Sequence, residues 1–209
     1  MPLAARCPIC RRPDGAPCPE CIELFEPLGA VEPPPGLDRL FAAVSYQDAA
    51  RPLIAGLKYR NHRATVGWLA DAMVAVVRFA ERPDVVTWAP TTASRRRERG
   101  FDQAELLARA VSRRIRVPAR RMLTRRVGPA QTGRSAAERR GTAPCFTTTR
   151  SAPPSVVLID DVVTTGSTLG AAAMALRHHG ACSVIGLVAG ATPGSGRPAT
   201  TVGPGSGLR

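Results

Sequence analysis

Two adjacent carboxylates follow an apolar run in this 209-residue chain. The run Ser155-Val156-Val157-Leu158-Ile159 has the composition of a buried strand, and Asp160 and Asp161 come directly after it. Paired carboxylates suit the vicinal hydroxyls of a ribose or a hydrated Mg²⁺. Ligands of open α/β sheets bind at the carboxyl ends of strands, which is where these two acids are expected.

The segment after the two acids is predicted to hold a phosphate. Gly166 would let the backbone approach a ligand closely, and the helix that follows would present free N–H groups and the positive end of its dipole. Further donors for phosphate oxygens are the hydroxyls of Thr164, Thr165, Ser167 and Thr168. Sugar hydroxyls beside a phosphate describe a ribose 5-phosphate. The alternative is an ordinary helix N-cap beside a chance acidic pair.

The net charge of +13 is concentrated in one stretch of the chain. Residues 94–140 carry 15 arginines against four acidic residues, a net charge of +11. Such a block predicts an anionic partner, whether phosphate, pyrophosphate or nucleic acid, and the alternative is a solvated face. Phe101 is its one aromatic residue, which disfavours stacking on the bases of single strands.

Four cysteines form two Cys-x-x-Cys pairs near the N-terminus. They are Cys7, Cys10, Cys18 and Cys21. The pattern predicts one structural Zn²⁺, because four thiolates leave no open position for a substrate. The segment is too short for a hydrophobic core, so the metal would supply its folding free energy. Disulfides and metal-free knuckles are the alternatives. Cys145 and Cys182 are expected to be ordinary buried or half-buried cysteines.

The hydrophobic pattern predicts an α/β fold with a parallel sheet flanked by helices. Strand signals at 84–88, 155–159 and 184–189 alternate with helical spacing at 66–80, 101–115 and 168–177. Residues 120–150 show no clear period and are expected to form a long loop or hairpin.

The domain boundaries are expected at a proline run and at a polar tail. Residues 32–36 read Glu-Pro-Pro-Pro-Gly, which is typical of a stiff linker, and the Gly-, Pro- and Thr-rich end predicts disorder. We therefore expect a four-cysteine head over residues 1–32, a main domain over 33–191 and a disordered tail over 192–209. No apolar run reaches the length of a membrane span, and the N-terminus lacks a signal-peptide core, which predicts a cytoplasmic protein.

The segment Val156–Leu169 resembles the phosphoribosyl-pyrophosphate (PRPP) motif of the type I phosphoribosyltransferases. Arg99-Gly100-Phe101-Asp102-Gln103-Ala104-Glu105 resembles the signature of ComF-type proteins, the competence-associated branch of that superfamily. Further similar segments are Leu57–Arg60, Gln131–Ser135 and Glu138–Arg140. The tandem Cys-x-x-Cys head is also similar to that branch, so the resemblance covers roughly residues 7–190.

The resemblance implies a type I phosphoribosyltransferase-like sheet, a zinc-ribbon-like head and Mg²⁺-dependent phosphoribosyl transfer from PRPP. Residues 164–168 would hold the 5-phosphate, and Asp160 and Asp161 would be the catalytic pair on the ribose hydroxyls. Residues 120–145 would form a hood over PRPP. Pyrophosphate would lie beside residues 91–100, where the basic residues are Arg95, Arg96, Arg97 and Arg99. The family name also implies an alternative, a non-catalytic protein that binds single-stranded DNA and acts with competence or recombination proteins.

Three positions depart from the family pattern. Asp102 replaces the usual Asn, Thr87-Trp88-Ala89-Pro90 replaces a Pro-Val-Pro strand end, and Gly141-Thr142 stands where an Asn is typical. A carboxylate at position 102 would repel pyrophosphate unless Mg²⁺ or an arginine compensates.

Overall fold

The computed structural model describes residues 6–13, 17–57, 63–126 and 144–192, without the side chains of residues 63 and 64. The motif segments 58–60, 131–135 and 138–142, and the tail from residue 193, lie outside the described residues. Across the described ranges, no helix combines the length and the apolar character that a membrane crossing requires.

A five-stranded sheet forms the centre of the main domain, in the order β1-β2-β7-β6-β3, and β4 pairs with β5 in a second, antiparallel sheet. The strands are β1 (Pro27–Val31), β2 (Arg39–Ser45), β3 (Val85–Trp88), β4 (Leu123–Arg126), β5 (Cys145–Thr148), β6 (Ser155–Val163) and β7 (Ser183–Ala191). The helices are α1 (Pro19–Ile22), α2 (Ala50–Gly56), α3 (Arg63–Val76), α4 (Ala93–Arg99), α5 (Gln103–Ile115) and α6 (Ser167–Arg177). All pairings in the large sheet are parallel except β1 with β2. The predicted parallel sheet flanked by helices is confirmed.

Two hydrophobic layers cover the faces of this sheet. On one face, α2, α3 and α5 pack side chains such as Leu53, Leu69 and Leu107 against Val157 and Ile159. On the other face, α6 and the β4–β5 pair contribute Leu169, Leu176, Leu123 and Phe146, which pack against Val156 and Leu158. Because strand side chains alternate between faces, one apolar run serves both layers.

Strand β6 is longer than its sequence signal. The predicted strand ended at Ile159, but β6 continues to Val163 because β7 pairs with it as far as Val163↔Ala191. Its other neighbour, β3, pairs only as far as Trp88↔Ile159. The chain leaves the sheet at Ala89-Pro90, so the last part of β6 borders open space on that side.

The proline run does not form the expected linker. Strand β1 precedes it and already belongs to the large sheet. The run then makes a turn in which Leu37 N donates to Pro34 O at 3.2 Å, with Gly36 at φ +93°. Strand β1 thus joins the large sheet before residue 32, where the sequence predicts the end of the head.

Candidate functional site

A cavity of about 340 Å³ lies at the carboxyl ends of β3 and β6. Acidic, hydroxyl and basic side chains share its wall: Asp102, Asp160, Asp161, Thr91, Thr164, Thr168, Arg95, Arg99 and Arg125. A smaller recess of about 30 Å³ is lined by Asp160 and by the loop that opens α6, residues 164–169. Both volumes occupy the place where sequence reasoning expected a ligand.

The two carboxylates enter the cavity from strand β6. Asp160 and Asp161 are successive strand residues, so their side chains leave opposite faces of β6, and both residues line the cavity. The backbone N–H of Asp161 donates to Asp160 Oδ1 at 2.9 Å, and that of Val162 donates to Asp161 Oδ1 at 2.8 Å. These bonds fix the carboxylates and leave further oxygen lone pairs for a ligand.

The environment of Asp160 opposes its ionisation. Burial, together with the adjacent charge of Asp161, raises the pKa of Asp160 well above its ordinary value. A carboxyl whose pKa is raised in the folded state stabilises the fold most at low pH. That stability is lost as the pH rises through the folded-state pKa.

We expect Asp160→Asn to stabilise the ligand-free protein near neutral pH. The amide removes a charge that the surroundings disfavour, so the melting temperature of the variant should exceed that of the wild type by about 3 °C at pH 7.5. The two melting temperatures should converge as the pH falls towards about 4, where the wild-type carboxyl is protonated. Thermal melts across pH 4–8 test this. A wild-type curve that rises with pH in step with the variant would contradict it.

The loop before α6 has the geometry of a tight helix start. Gly166 adopts φ +74° as the N-cap, and Gly170 N donates to Gly166 O at 2.8 Å. Thr165 and Ser167 share a hydroxyl contact of 2.9 Å, and both side chains are exposed. The N–H groups of the first turn and these hydroxyls together offer the donors that a phosphate needs, although the N–H of Ser167 already contacts Thr165 Oγ1 at 3.4 Å.

The structure adds a second reason for glycine at position 166. A Cβ built on Gly166 would lie 2.8 Å from Pro34 Cβ, which is closer than real side chains approach. Positive φ and contact with Pro34 therefore both demand glycine here.

Helix α4 presents two of the four predicted arginines to the cavity. Arg95 and Arg99 are one turn apart and line its wall, and Arg99 Nη1 donates to Gln103 Oε1 at 3.2 Å. Arg96 and Arg97 are exposed and do not line it. The sequence could not separate these pairs without knowing which face of the helix is turned inward.

Arg125 joins the cavity from β4, and sequence reasoning missed it. Burial and the nearby charge of Arg95 lower the pKa of Arg125, while Asp160 opposes that shift. Two cations held together beside one carboxylate make a favourable place for an anion. The sequence carried no signal that singles out Arg125, because residues 120–150 show no clear period, and the neighbouring Arg126 is exposed.

The carboxylate of Asp102 accepts hydrogen bonds from two backbone N–H groups. The residue is 5% exposed and caps α5: Oδ1 accepts from Ala104 N at 3.1 Å, and Oδ2 accepts from Thr91 N at 2.9 Å. Burial raises the pKa of Asp102, and these backbone donors partly offset that rise. The carboxylate meets the two amides with one oxygen each, whereas an asparagine in the same position would turn its NH₂ group towards one of them. Asp102 therefore has hydrogen-bond partners within the protein for both of its oxygens.

The four N-terminal cysteines form a separate cluster. Their sulfur atoms all lie within 4.8 Å of one another, and Cys10 Sγ is 3.5 Å from Cys18 Sγ. Tetrahedral Zn²⁺ with bonds of about 2.3 Å needs sulfurs about 3.8 Å apart, so the cluster fits the ion. The free thiols argue against the disulfide alternative. Pro19 begins the short helix α1 directly after Cys18, which turns the chain back towards the other pair.

The thiols of this cluster differ in their surroundings. Burial raises the pKa of Cys18 and Cys21. Burial acts on Cys7 in the same direction, but backbone N–H donors outweigh it and lower its pKa to about 6. A bound cation would favour the thiolate at all four positions. Cys145 and Cys182 are exposed, so the expectation that they are buried or half-buried was wrong.

We expect the purified 209-residue chain to carry one zinc ion. Cys18→Ser should lose it and loosen the head, because Cys18 is fully buried within the cluster. Cys182→Ser, an exposed cysteine outside the cluster, is the matched control and should keep full occupancy. Elemental mass spectrometry after chelator-free purification measures the stoichiometry. Clearly substoichiometric zinc in the wild type would contradict the assignment.

Comparison with known proteins finds a matching family model and several sequence relatives. The model of the phosphoribosyl transferase domain family matches residues 102–200. The DNA utilization protein YhgH of Escherichia coli O6:H1 is 31% identical over 209 residues, covering 88% of this chain and 91% of the relative. Competence protein F of Haemophilus influenzae is 31% identical over 159 residues, covering 70% of this chain and 69% of the relative. The solved allosteric regulatory enzyme of purine biosynthesis aligns at 19% identity and TM-score 0.45, over 65% of this chain and 30% of that one.

Proposed function

This chain belongs to the ComF-type branch of the phosphoribosyltransferase family, and from that premise we propose that the cavity beside β6 binds PRPP. Residues 164–168 would hold the 5-phosphate, Asp160 and Asp161 the ribose hydroxyls, and Arg95, Arg99 and Arg125 the pyrophosphate. We further propose that the protein acts in the cytoplasm.

The composition of the cavity wall is the observation that carries this proposal. Hydroxyls and a helix start come from the loop that opens α6. Three cations come from α4 and β4, and the carboxylate pair lies on β6. A ligand with a single phosphate would leave one of the two anion-binding groups unused. PRPP carries a phosphate at one carbon of its ribose and a pyrophosphate at another, so it uses both.

The donor set also fits Mg²⁺ arriving with the ligand. Asp160 and Asp161 supply hard carboxylate oxygens on the cavity wall, the ligand type that Mg²⁺ prefers. When bound, the ion would neutralise part of the pyrophosphate charge. That would also favour the ionised form of Asp160, whose environment otherwise opposes it.

Phosphoribosyl transfer is the reaction that this arrangement supports. The bond between the anomeric carbon and pyrophosphate would break through an oxocarbenium-like state. Arg95, Arg99 and Arg125 would stabilise the departing anion. The carboxylates of Asp160 and Asp161 would hold the ribose while it carries positive charge. The β4–β5 pair, which supplies Arg125 and packs beside α6, would limit the access of water.

Separate binding of the two halves of PRPP tests the proposal. Calorimetry on the full chain should detect ribose 5-phosphate and magnesium pyrophosphate individually. PRPP should bind at least tenfold more tightly than either half, because one molecule joins both contacts. PRPP that binds no better than pyrophosphate alone would contradict it, since the arginines would then account for all of the affinity.

Binding of single-stranded DNA is the second candidate function. Basic side chains lie exposed at and beyond the end of α5, and they do not line the cavity: Arg113, Arg116, Arg120 and Arg121. Arg114 is different, because its guanidinium pairs with Asp71, with Nη2 2.9 Å from Oδ2. The names of the relatives, a DNA utilization protein and a competence protein, agree with a nucleic-acid partner. We propose these exposed arginines as a phosphate-binding surface used with competence or recombination proteins.

Neutralising three of these arginines should weaken DNA binding and leave PRPP binding intact. The variant Arg113→Gln/Arg116→Gln/Arg120→Gln should flatten the salt dependence of single-strand affinity, by about 0.7 in the log–log slope for each phosphate that the protein no longer neutralises. The charge-matched control Arg51→Gln/Arg78→Gln/Arg150→Gln alters exposed arginines elsewhere. Fluorescence anisotropy over a salt series measures both. Equal weakening in the two variants would mean that net charge alone, and not this surface, attracts DNA.

A further inference from the structure

A rigid turn made of prolines lies against the helix that follows the phosphate loop. Residues 34–37, here the proline turn, have Pro35 and Gly36 at the two central positions, Gly36 at φ +93° and a bond from Leu37 N to Pro34 O of 3.2 Å. These are the features of a type II turn, for which Pro-Gly is the preferred central pair. The fixed φ of each proline leaves the segment few other conformations.

The proline turn follows α6 along a strip of small residues. Pro34 lies against Gly166, where a Cβ would come within 2.8 Å of it, and the Pro35 carbonyl oxygen lies 3.1 Å from where a Cβ on Gly170 would be. A Cβ on Gly36 would in turn lie 3.1 Å from Ala173 Cβ. Because the spacing of these helix residues is four and then three, they share one face of α6.

Hydrogen bonds fix the far end of the turn. Arg177, at the end of α6, donates through Nε to Gly36 O at 2.7 Å and through Nη1 to Cys182 O at 2.9 Å. The Asp38 carboxylate bonds to the same guanidinium and accepts from Val184 N at 2.7 Å. The turn therefore cannot slide along α6, and the position of Pro34 over Gly166 is set by contacts at both ends of the helix.

We propose that Pro34 is a positioning residue for the phosphate loop: by packing on Gly166 it holds the left-handed N-cap and the first turn of α6 in the conformation that binds the 5-phosphate. The loop side chains at 164, 165 and 167 are exposed, so they give the loop little packing of their own. A loop held in its binding shape does not spend ligand affinity on being ordered. This role rests on the proposed function, because it presumes that the 5-phosphate binds at this loop.

Pro34→Gly in the full chain tests the role, with Pro33→Gly as the matched control one residue outside the turn. Pro34→Gly should raise the Kd for ribose 5-phosphate at least fivefold and leave the Kd for magnesium pyrophosphate within twofold. Pro33→Gly should leave both within twofold. In ligand-free protein, hydrogen exchange of residues 164–170 should speed up at least tenfold in Pro34→Gly only.

Each result decides the proposal. Unchanged exchange at residues 164–170 overturns it. Faster exchange with unchanged ribose 5-phosphate affinity also overturns it, because Pro34 would then be merely structural. A wild type that binds neither half of PRPP refutes the proposed function instead. The exchange experiment then still decides whether Pro34 holds the loop.

Discussion

Replacing Gly166 with valine should abolish the binding of ribose 5-phosphate and reduce PRPP affinity at least ~100-fold. Gly166 sits at φ +74°, a conformation that costs an ordinary residue roughly 1–2 kcal/mol and a β-branched residue more. Its Cβ would also lie 2.8 Å from Pro34, which is held in a rigid turn. The start of α6 must then move, and the free N–H groups that would face the phosphate move with it. Calorimetry with both ligands measures the change.

Gly29→Val is the control for that experiment. Gly29 has nearly the same φ, +77°, but a Cβ there would meet nothing within 4 Å. The control therefore shares the backbone strain without the clash, and it should lower stability while keeping ligand affinity. Wild-type affinity in Gly166→Val would mean that the phosphate binds elsewhere.

Neutralising the two cavity-lining arginines of α4 should weaken pyrophosphate binding by at least ~100-fold. Each charge-assisted bond contributes about 1.5–3 kcal/mol, so the removal of two corresponds to two or more powers of ten. The variant is Arg95→Gln/Arg99→Gln. Its control, Arg96→Gln/Arg97→Gln, removes the same charge from the same helix at positions that do not line the cavity.

The control variant should bind magnesium pyrophosphate within about threefold of wild type. Titration calorimetry on both variants, with melting temperatures as a check on folding, separates direct binding from general attraction. If the two variants lost affinity equally, pyrophosphate would be held by the general positive charge of residues 94–140 and not by specific contacts in the cavity.

Much of this architecture follows from local sequence physics. The apolar runs before Asp160 and before Ala89-Pro90 are short and rich in β-branched residues, which favours strands. The spacing of strand, helix and strand from β6 to β7 predicts a βαβ unit. The acid pair and the hydroxyl loop were predictable for the same reason. Their chemistry is carried by neighbours in sequence, which local structure keeps together.

The rest depends on contacts between distant segments. Arg125 reaches the cavity because β4 pairs with β5 in one register, and a shift by one residue would present Arg126 instead. From the sequence alone, Asp102 is an unfavourable charge beside an expected anion. In the structure, its two oxygens accept hydrogen bonds from Thr91 N and Ala104 N, which lie on either side of it in the chain. The proline run resembles a linker by composition, and its packing on α6, more than 100 residues away in the chain, is a contact that composition does not reveal.

Calorimetric titration of PRPP with Mg²⁺ into wild type and into Asp160→Asn/Asp161→Asn is the most direct test of the proposed function. The wild type should bind one PRPP per chain, with affinity that increases when Mg²⁺ is added. The double variant should stay folded and lose at least tenfold in affinity, because hydrogen bonds to charged groups contribute about 1.5–3 kcal/mol. Most of the Mg²⁺ dependence should disappear with it. A double variant that binds PRPP as tightly as wild type, with the same response to Mg²⁺, would contradict a ribose-binding role for this carboxylate pair.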